Sequence, residues 1–139
     1  MSSEDYLIRY FRQLGSVIAA LFDYRKRKMY SEAIEEIDMA LDTWFKINPN
    51  NLADFESKTL NELLENPSPG METEKSLAEL FYQKAETLRQ MGNQEEATRF
   101  ARISLTIYKK IDATSGDYSI ENQQRIAELD QMAGHIDEN

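Results

Sequence analysis

Apolar residues recur every three to four positions along most of this 139-residue chain, and this spacing constrains the fold more than any other feature. Between residues 7 and 24 the stripe consists of Leu7, Tyr10, Leu14, Val17, Leu21 and Tyr24. Such a period is that of one face of an α-helix. With only 5 glycines and 3 prolines, the chain also lacks the turn residues that an all-β domain needs. We therefore predict an all-α fold.

Breaks in the pattern divide the chain into two helical hairpins, a connector and a last helix, which together form a single domain. The predicted ranges are 4–47 for the first hairpin, 48–71 for the connector, 72–112 for the second hairpin and 119–135 for the C-terminal helix. We expect about five long helices, plus a short one within 52–66 of the connector. The first helix should end at Lys28, the second should begin with Ser31 as its cap, and the fourth should end at Ile111.

The chain carries a net charge of −9, which bears on its partners. Phosphate contacts require a basic surface, so we expect neither nucleic acid nor an anionic membrane surface as a partner. The N-terminal segment lacks the basic and apolar regions of a signal peptide, and no apolar run is long enough to cross a bilayer. The lack of cysteine excludes disulfides and thiolate chemistry. We therefore expect an acidic cytoplasmic protein.

Two segments of the chain share a pattern of small residues. Ala33 and Ala40 in the first segment correspond to Ala97 and Ser104 in the second, and each pair is separated by 64 residues. A leucine follows the second small residue in both copies. Small side chains at this spacing let two antiparallel helices approach closely, while bulky neighbours fill the groove between them. We therefore expect all four side chains to be buried between paired helices.

This pattern resembles the second helix of a tetratricopeptide (TPR) hairpin, in which a turn aromatic precedes alanine, a bulky residue and then alanine-leucine. The first hairpin matches the family at Tyr30, Ala33, Ile34, Ile37, Ala40 and Leu41, and the second at Phe81, Ala85, Leu88, Gly92 and Ala97. The chain as a whole is similar to small bacterial TPR-like proteins, a similarity that brings no activity with it. The resemblance implies antiparallel helical hairpins in an α-α superhelix.

Several positions depart from the TPR pattern. The copies lie 64 residues apart instead of the family's 34, so about 30 residues are inserted between the hairpins. Gln94 replaces the turn aromatic of the second copy, and Leu21 stands where the family prefers glycine. Phe45 and Lys109 occupy the places of the closing proline. Whether the two hairpins stack as direct neighbours therefore stays open.

The first helix of each TPR hairpin lines the binding groove, so the resemblance implies a partner site. The corresponding positions are Gly15, Ile18, Phe22, Arg25, Lys26, Glu79, Tyr82, Glu86, Arg89 and Gln90. The predicted partner-binding residues among them are Phe22, Arg25, Lys26, Tyr82, Glu86 and Arg89. The two aromatic residues would be anchors, and the three cations would hold a peptide carboxylate. The alternative is that Ile18 and Phe22 belong to the core, covered by the connector or by a second subunit.

Other polar groups have structural explanations. The basic run 25–28 either grips an acidic partner or complements the dipole at a helix C-terminus. A row of acids opposite the apolar stripe is expected to be a solvated face, and it consists of Glu32, Glu35, Glu36, Asp38 and Asp42. His135 lies near the chain end without an evident partner. Trp44 is expected in the core or in a dimer contact.

The sequence contains no phosphate-binding loop, no nucleophile–base set and no metal-ligand motif. We therefore predict a non-catalytic protein-protein interaction module without a cofactor, whose partner is a protein or peptide. Because two hairpins leave an open end, we also expect a homo-oligomer, most simply a dimer. The alternative is a small-molecule-binding regulatory protein with a pocket between the hairpins, near Phe22, Tyr82 and the connector.

Overall fold

The computed structural model describes residues 3–45, 47–48, 71–116 and 119–133. Within these residues the chain forms α-helices and no strand. The helices are α1 (Ser3–Lys26), α2 (Tyr30–Phe45), α3 (Met71–Met91), α4 (Gln94–Ser115) and α5 (Ile120–Ala133). The all-α prediction is therefore confirmed. The short helix predicted within 52–66 and His135 lie outside the described residues.

A tight turn joins α1 to α2. Lys28 has a φ of 62°, and the amide of Met29 donates to a carbonyl near the end of α1 at 2.7 Å. A left-handed residue commonly ends a helix in this way. The carbonyl of Met29 in turn accepts a hydrogen bond from the first turn of α2, so α2 already begins at Tyr30. The predicted helix end at Lys28 and the predicted cap at Ser31 are therefore wrong.

A glycine and an asparagine separate α3 from α4, as the sequence indicates. Gly92 has a φ of 89°, and Asn93 Oδ1 accepts a hydrogen bond from a backbone amide in the first turn of α4 at 3.3 Å. At its other end, α4 continues past the predicted end at Ile111 to Ser115. It stops where Gly116, with a φ of 73°, provides a left-handed C-cap. The predicted hairpin boundary at residue 112 thus falls inside α4.

The four small residues of the repeated pattern are buried between helices. Ala33, Ala40, Ala97 and Ser104 expose 0, 5, 2 and 0% of their surface. The hydroxyl of Ser104 donates to the carbonyl of Ala78 in α3 at 2.7 Å. A larger side chain at such a contact would force the helices apart. The predicted burial of these side chains is confirmed.

Each helix packs against the next along the chain, and α1 also packs against α3. The core is densest between α3 and α4, where the rings of Phe81 and Phe100 stack with their centroids 6.1 Å apart. This packing order brings α1, α3 and α5 to the same side of the molecule. Residues from all three helices line a shared surface there.

An ion pair ties α2 to α3 on the side that was predicted to be solvated. Lys84 Nζ donates to Asp38 Oδ1 at 2.6 Å, and the Lys84 side chain is only 7% exposed. The same ammonium lies 4.3 Å from the ring centroid of Phe100 in α4. The interpretation of Asp38 as part of a solvated face is therefore wrong, because its partner lies on another helix. Glu35 and Asp42 of that row are exposed, as predicted.

Candidate functional site

The predicted partner-binding residues come together on one side of the molecule. A groove of about 510 Å³ lies between α1, α3 and α5, and we call it the α1–α3 groove. Its lining residues are Phe22, Arg25, Lys26, Tyr82, Gln83, Glu86, Gln90 and Arg125. Of the six predicted residues, Arg89 alone lies outside this lining, in an adjoining groove on the far side of Glu86 and Tyr82.

Phe22 forms an exposed aromatic wall of the α1–α3 groove. Its side chain is 58% exposed, so the described residues do not bury it. The alternative interpretation, in which the connector or a second subunit covers Phe22 as part of a core, stays a prediction. The guanidinium of Arg25 lies 4.8 Å from the centroid of its ring. Such a cation–π contact favours one orientation of an otherwise free aromatic side chain. Ile18, the other residue in that interpretation, is partly buried and faces a separate cleft.

Arg25 is buried at the floor of the groove, with 7% of its surface exposed. Its Nη1 donates to Gln83 Oε1 at 2.8 Å and to Thr87 Oγ1 at 3.2 Å. Burial lowers the pKa of Arg25, an effect opposed by the more distant charge of Glu86. Both hydrogen-bond partners are neutral, so no carboxylate among the described residues directly contacts this positive charge. Arg25 is therefore neither a free gripping cation nor merely a helix-end charge.

Tyr82 is held rigidly on the opposite wall. Its hydroxyl donates to Glu128 Oε2 at 2.5 Å, and the guanidinium of Arg125 lies 3.7 Å from its ring centroid. Burial, reinforced by the hydrogen bond to Glu128, raises the pKa of Tyr82. With only 9% of its surface exposed, Tyr82 presents a fixed wall rather than a free anchor.

Glu86 and Arg89 pair with each other on α3. Arg89 Nε donates to Glu86 Oε2 at 3.0 Å, and a second bond joins Arg89 Nη2 to Glu86 Oε1. Partial burial alone would raise the pKa of Glu86, but the hydrogen bonds from Arg89 and Gln90 outweigh it and lower that pKa. Arg89 is thus already occupied by an intrachain carboxylate. Lys26 is exposed and forms no ion pair with any residue that the structure describes.

A hydrogen-bonded pair joins α3 to α5 beside the groove, whose lining includes Arg125. Arg125 donates to both oxygens of Glu79, at 2.7 and 3.1 Å, and to Glu128 at 3.2 Å. Glu79 also accepts from the Tyr108 hydroxyl at 2.6 Å and from Gln83 at 3.0 Å. Burial alone would lower the pKa of Arg125, but the charge of Glu79 more than offsets it and raises that pKa. The Glu79 carboxylate is therefore saturated by protein donors.

The sequence interpretation missed Arg125, which lies outside the segments that resemble TPR hairpins. A signal was nevertheless present: Asn122 and Arg125 continue, at helical spacing, the stripe that contains Ile126 and Leu129. Polar residues on the inward face of a helix require partners when they are buried. That rule marks both residues as members of an internal polar site.

Among the described residues, no group of three or more histidine, cysteine, aspartate or glutamate side chains is arranged to hold a metal ion. None of the helices in the described ranges is both long and apolar enough to cross a membrane. The carboxylate that lines the α1–α3 groove, Glu86, is hydrogen-bonded to Arg89 and Gln90. Beside it the groove presents the exposed ring of Phe22, the ammonium of Lys26, which is unpaired among the described residues, and the buried guanidinium of Arg25.

Comparisons of the chain with protein-family models, with curated proteins and with solved structures give no significant match.

Proposed function

We propose that this chain is a non-catalytic, TPR-like interaction module that binds an acidic peptide segment of a protein partner in the α1–α3 groove. The observation that carries the proposal is the buried Arg25 guanidinium, whose hydrogen-bond partners within the described part of the chain are neutral groups. A buried cation without a carboxylate in contact is stabilised by an incoming anion. Lys26, whose ammonium forms no ion pair with the described residues, lines the same groove.

Phe22 supplies the apolar part of this recognition. An exposed aromatic ring beside a polar rim is the kind of residue that contributes most to binding when a partner covers it. The ring stands next to the Arg25 guanidinium, so an acidic side chain and a neighbouring apolar side chain could bind together. The proposed peptide therefore carries a carboxylate adjacent to an apolar residue.

The helix packing supports the TPR-like part of the proposal. Consecutive helices pack together, α1 lies against α3, and the small residues of the repeated pattern are buried at the crossings. In a solenoid of hairpins, this arrangement leaves the first helix of each hairpin facing a shared groove. Cytoplasmic localisation and homodimer formation stay predictions. A clean monomer in size-exclusion chromatography with light scattering, at high micromolar concentration, would contradict dimer formation.

The groove volume of about 510 Å³ supports an alternative, a small-molecule regulatory site at the same place. Ligand pockets commonly have volumes in this range. A metabolite that raises the melting temperature, with a shift that is lost in the F22A variant, would favour this alternative over a peptide.

A peptide selection tests the main proposal. The chain would be screened against a random peptide library, and the affinities of the enriched peptides would be measured by fluorescence anisotropy. We expect enrichment of aspartate, glutamate or a free C-terminal carboxylate beside an apolar residue. F22A and K26E should each weaken binding about tenfold or more.

Two control variants match these changes away from the groove. Ile120→Ala removes an apolar side chain that is 64% exposed on α5, and Lys109→Glu reverses a cation that is 57% exposed on α4. Both should keep the affinity within about twofold of the original. Selected peptides without acidic groups, or equal losses in the control and groove variants, would refute the proposal.

A further inference from the structure

A single glutamine stands between two opposite charges at the floor of the α1–α3 groove. Gln83 lies in α3, and only 2% of its surface is exposed. Its Oε1 accepts a hydrogen bond from Arg25 Nη1 at 2.8 Å, and its Nε2 donates to Glu79 Oε1 at 3.0 Å. A neutral amide therefore contacts both the guanidinium of the groove and the carboxylate beside it.

The orientation of the Gln83 amide is set by its two neighbours. A side-chain amide donates through its nitrogen and accepts through its oxygen. If the amide were turned over, Nε2 would face the N–H groups of Arg25 and Oε1 would face the Glu79 carboxylate, and both contacts would be repulsive. Glu79 is itself held by the Tyr108 hydroxyl of α4 and by Arg125 of α5. The contact between Gln83 and Arg25 is therefore braced from two further helices.

This arrangement anchors Arg25 through one nitrogen and leaves its other donors available. Its hydrogen bonds to the described residues all use Nη1, with Gln83 and Thr87 as the acceptors. Nε and Nη2 form no such bond, yet neither is among the buried side-chain atoms that lack a partner in the described part of the chain. Both atoms must therefore keep accessible surface, and the surface that Arg25 lines is the α1–α3 groove. The Nε–Nη2 edge of a guanidinium is able to donate to both oxygens of a carboxylate.

We propose that Gln83 is a positioning residue that sets the preference of the α1–α3 groove for a carboxylate. It holds the Arg25 guanidinium in place through Nη1 and, being neutral, leaves the positive charge to the carboxylate of the acidic peptide. This inference rests on the function proposed above and adds the residue that controls its specificity. A glutamate at this position would pair with Arg25 and compete with the peptide.

Two blocked peptides that differ only in charge measure this preference: acetyl-leucyl-glutamyl-leucinamide and acetyl-leucyl-glutaminyl-leucinamide. Each would be titrated into the full chain at about pH 7, where carboxylates are ordinarily ionised. Two-dimensional ¹H–¹⁵N NMR would follow the Arg25 Nε–H signal, and the ratio of the two dissociation constants is the carboxylate preference. In the unaltered chain the glutamyl peptide should bind about tenfold or more tightly, because hydrogen bonds between charged groups are the stronger ones.

Gln83→Glu tests the neutral amide, because it places a carboxylate on Arg25 with little change in the size of the side chain. This variant should bind the two peptides within about twofold of each other. The matched control is Gln123→Glu in α5. Gln123 also donates to a carboxylate, Asp112 Oδ1 at 2.9 Å, but it is not part of the groove lining. Q123E should keep the preference at about tenfold or more.

A second position keeps the test decisive if Q83E does not fold. Thr87 Oγ1 also accepts a hydrogen bond from Arg25 Nη1, at 3.2 Å. Thr87→Asp should therefore remove the carboxylate preference as Q83E does. In its neutral counterpart, Thr87→Asn, the preference should be larger than in T87D by about fivefold or more. Thermal melting followed by circular dichroism verifies that each variant is folded.

The outcomes distinguish this inference from the proposed function. Equal affinities of the two peptides in the unaltered chain, or no binding of either up to its solubility limit, would overturn both. A preference that persists in Q83E, or in T87D where Q83E does not fold, would overturn the role of Gln83 and leave carboxylate recognition standing. Loss of the preference in Q123E as well would show an effect of net charge instead of contact with Arg25, and would equally overturn that role.

Discussion

Replacing Arg125 with methionine should destabilise the protein by about 2–3 kcal/mol, because this side chain joins α5 to α3. Methionine keeps a comparable volume but removes the two hydrogen bonds to Glu79 and the one to Glu128. Charge-assisted bonds to a mostly buried carboxylate contribute about 1.5–3 kcal/mol, and the Glu79 side chain is 14% exposed. The contact with Glu128, which is 48% exposed, adds only about 0.3–0.5 kcal/mol. Loss of the cation–π contact with Tyr82 adds about 0.5–1 kcal/mol.

Together these contributions amount to about 2–4.5 kcal/mol, and the expected loss is set lower, at about 2–3 kcal/mol, because the Arg125 side chain is itself 26% exposed. Glu79 also keeps the donors from Tyr108 and Gln83, so its charge is not left bare. The assay is urea unfolding followed by far-UV circular dichroism, with the slope compared between variants. A double-mutant cycle with Glu79→Gln should give a coupling of about 1.5–2.5 kcal/mol. A loss below about 0.5 kcal/mol in R125M, or a coupling near zero, would refute the view that this pair fastens α5.

Three further predictions concern the packing and the charges. Ser104→Ala should lower the free energy of unfolding in urea by about 0.5–1.5 kcal/mol, because one buried hydrogen bond is lost. Ser104→Leu should lower it by about 3 kcal/mol, because the larger side chain overpacks the helix contact. Equal effects of the two changes would contradict a close approach of the helices at this position. Asp38→Ala should lower the free energy of unfolding by about 1–3 kcal/mol, because it leaves the buried ammonium of Lys84 unpaired. The control Asp42→Ala, at an exposed position of the same helix, should change it by no more than about 0.5 kcal/mol. Glu86→Gln should cost up to about 1 kcal/mol at pH 7. Because the pKa of Glu86 is lowered in the folded state, this difference should shrink as the pH falls through that pKa. A difference that stays constant as the pH is lowered until the protein unfolds in acid would contradict the assigned charge pairing.

Features that depend on the local spacing of residues along the chain could be predicted from the sequence. Burial of Ala33, Ala97 and Ser104 follows from a helical period and a repeated pattern, both of which are visible along the chain. The end of α4 was misplaced because the apolar stripe weakens after Ile111, although the helix continues until Gly116 can provide a left-handed cap. Periodicity marks the face of a helix more reliably than its last turn.

Pairings between distant residues could not be predicted in this way. Arg25 and Gln83 are separated by 58 residues, and Lys84 and Asp38 by 46. The resemblance to TPR hairpins directed attention to α1 and α3, and the predicted residues there line one groove apart from Arg89. The resemblance gave no information on which of these charged side chains pair with other residues of the same chain. Arg125 was missed because α5 lies outside the segments that resemble TPR hairpins.

Site-specific crosslinking tests the central claim most directly, namely that the α1–α3 groove is the recognition surface. A photo-reactive phenylalanine would replace Phe22 in one variant and Met39 in the other, since Met39 is 64% exposed on α2 and lines none of the grooves described above. With an acidic peptide from the selection, illumination should give a covalent product at position 22 and little at position 39. Equal products at both positions, or a product at position 39 alone, would show that the partner binds elsewhere.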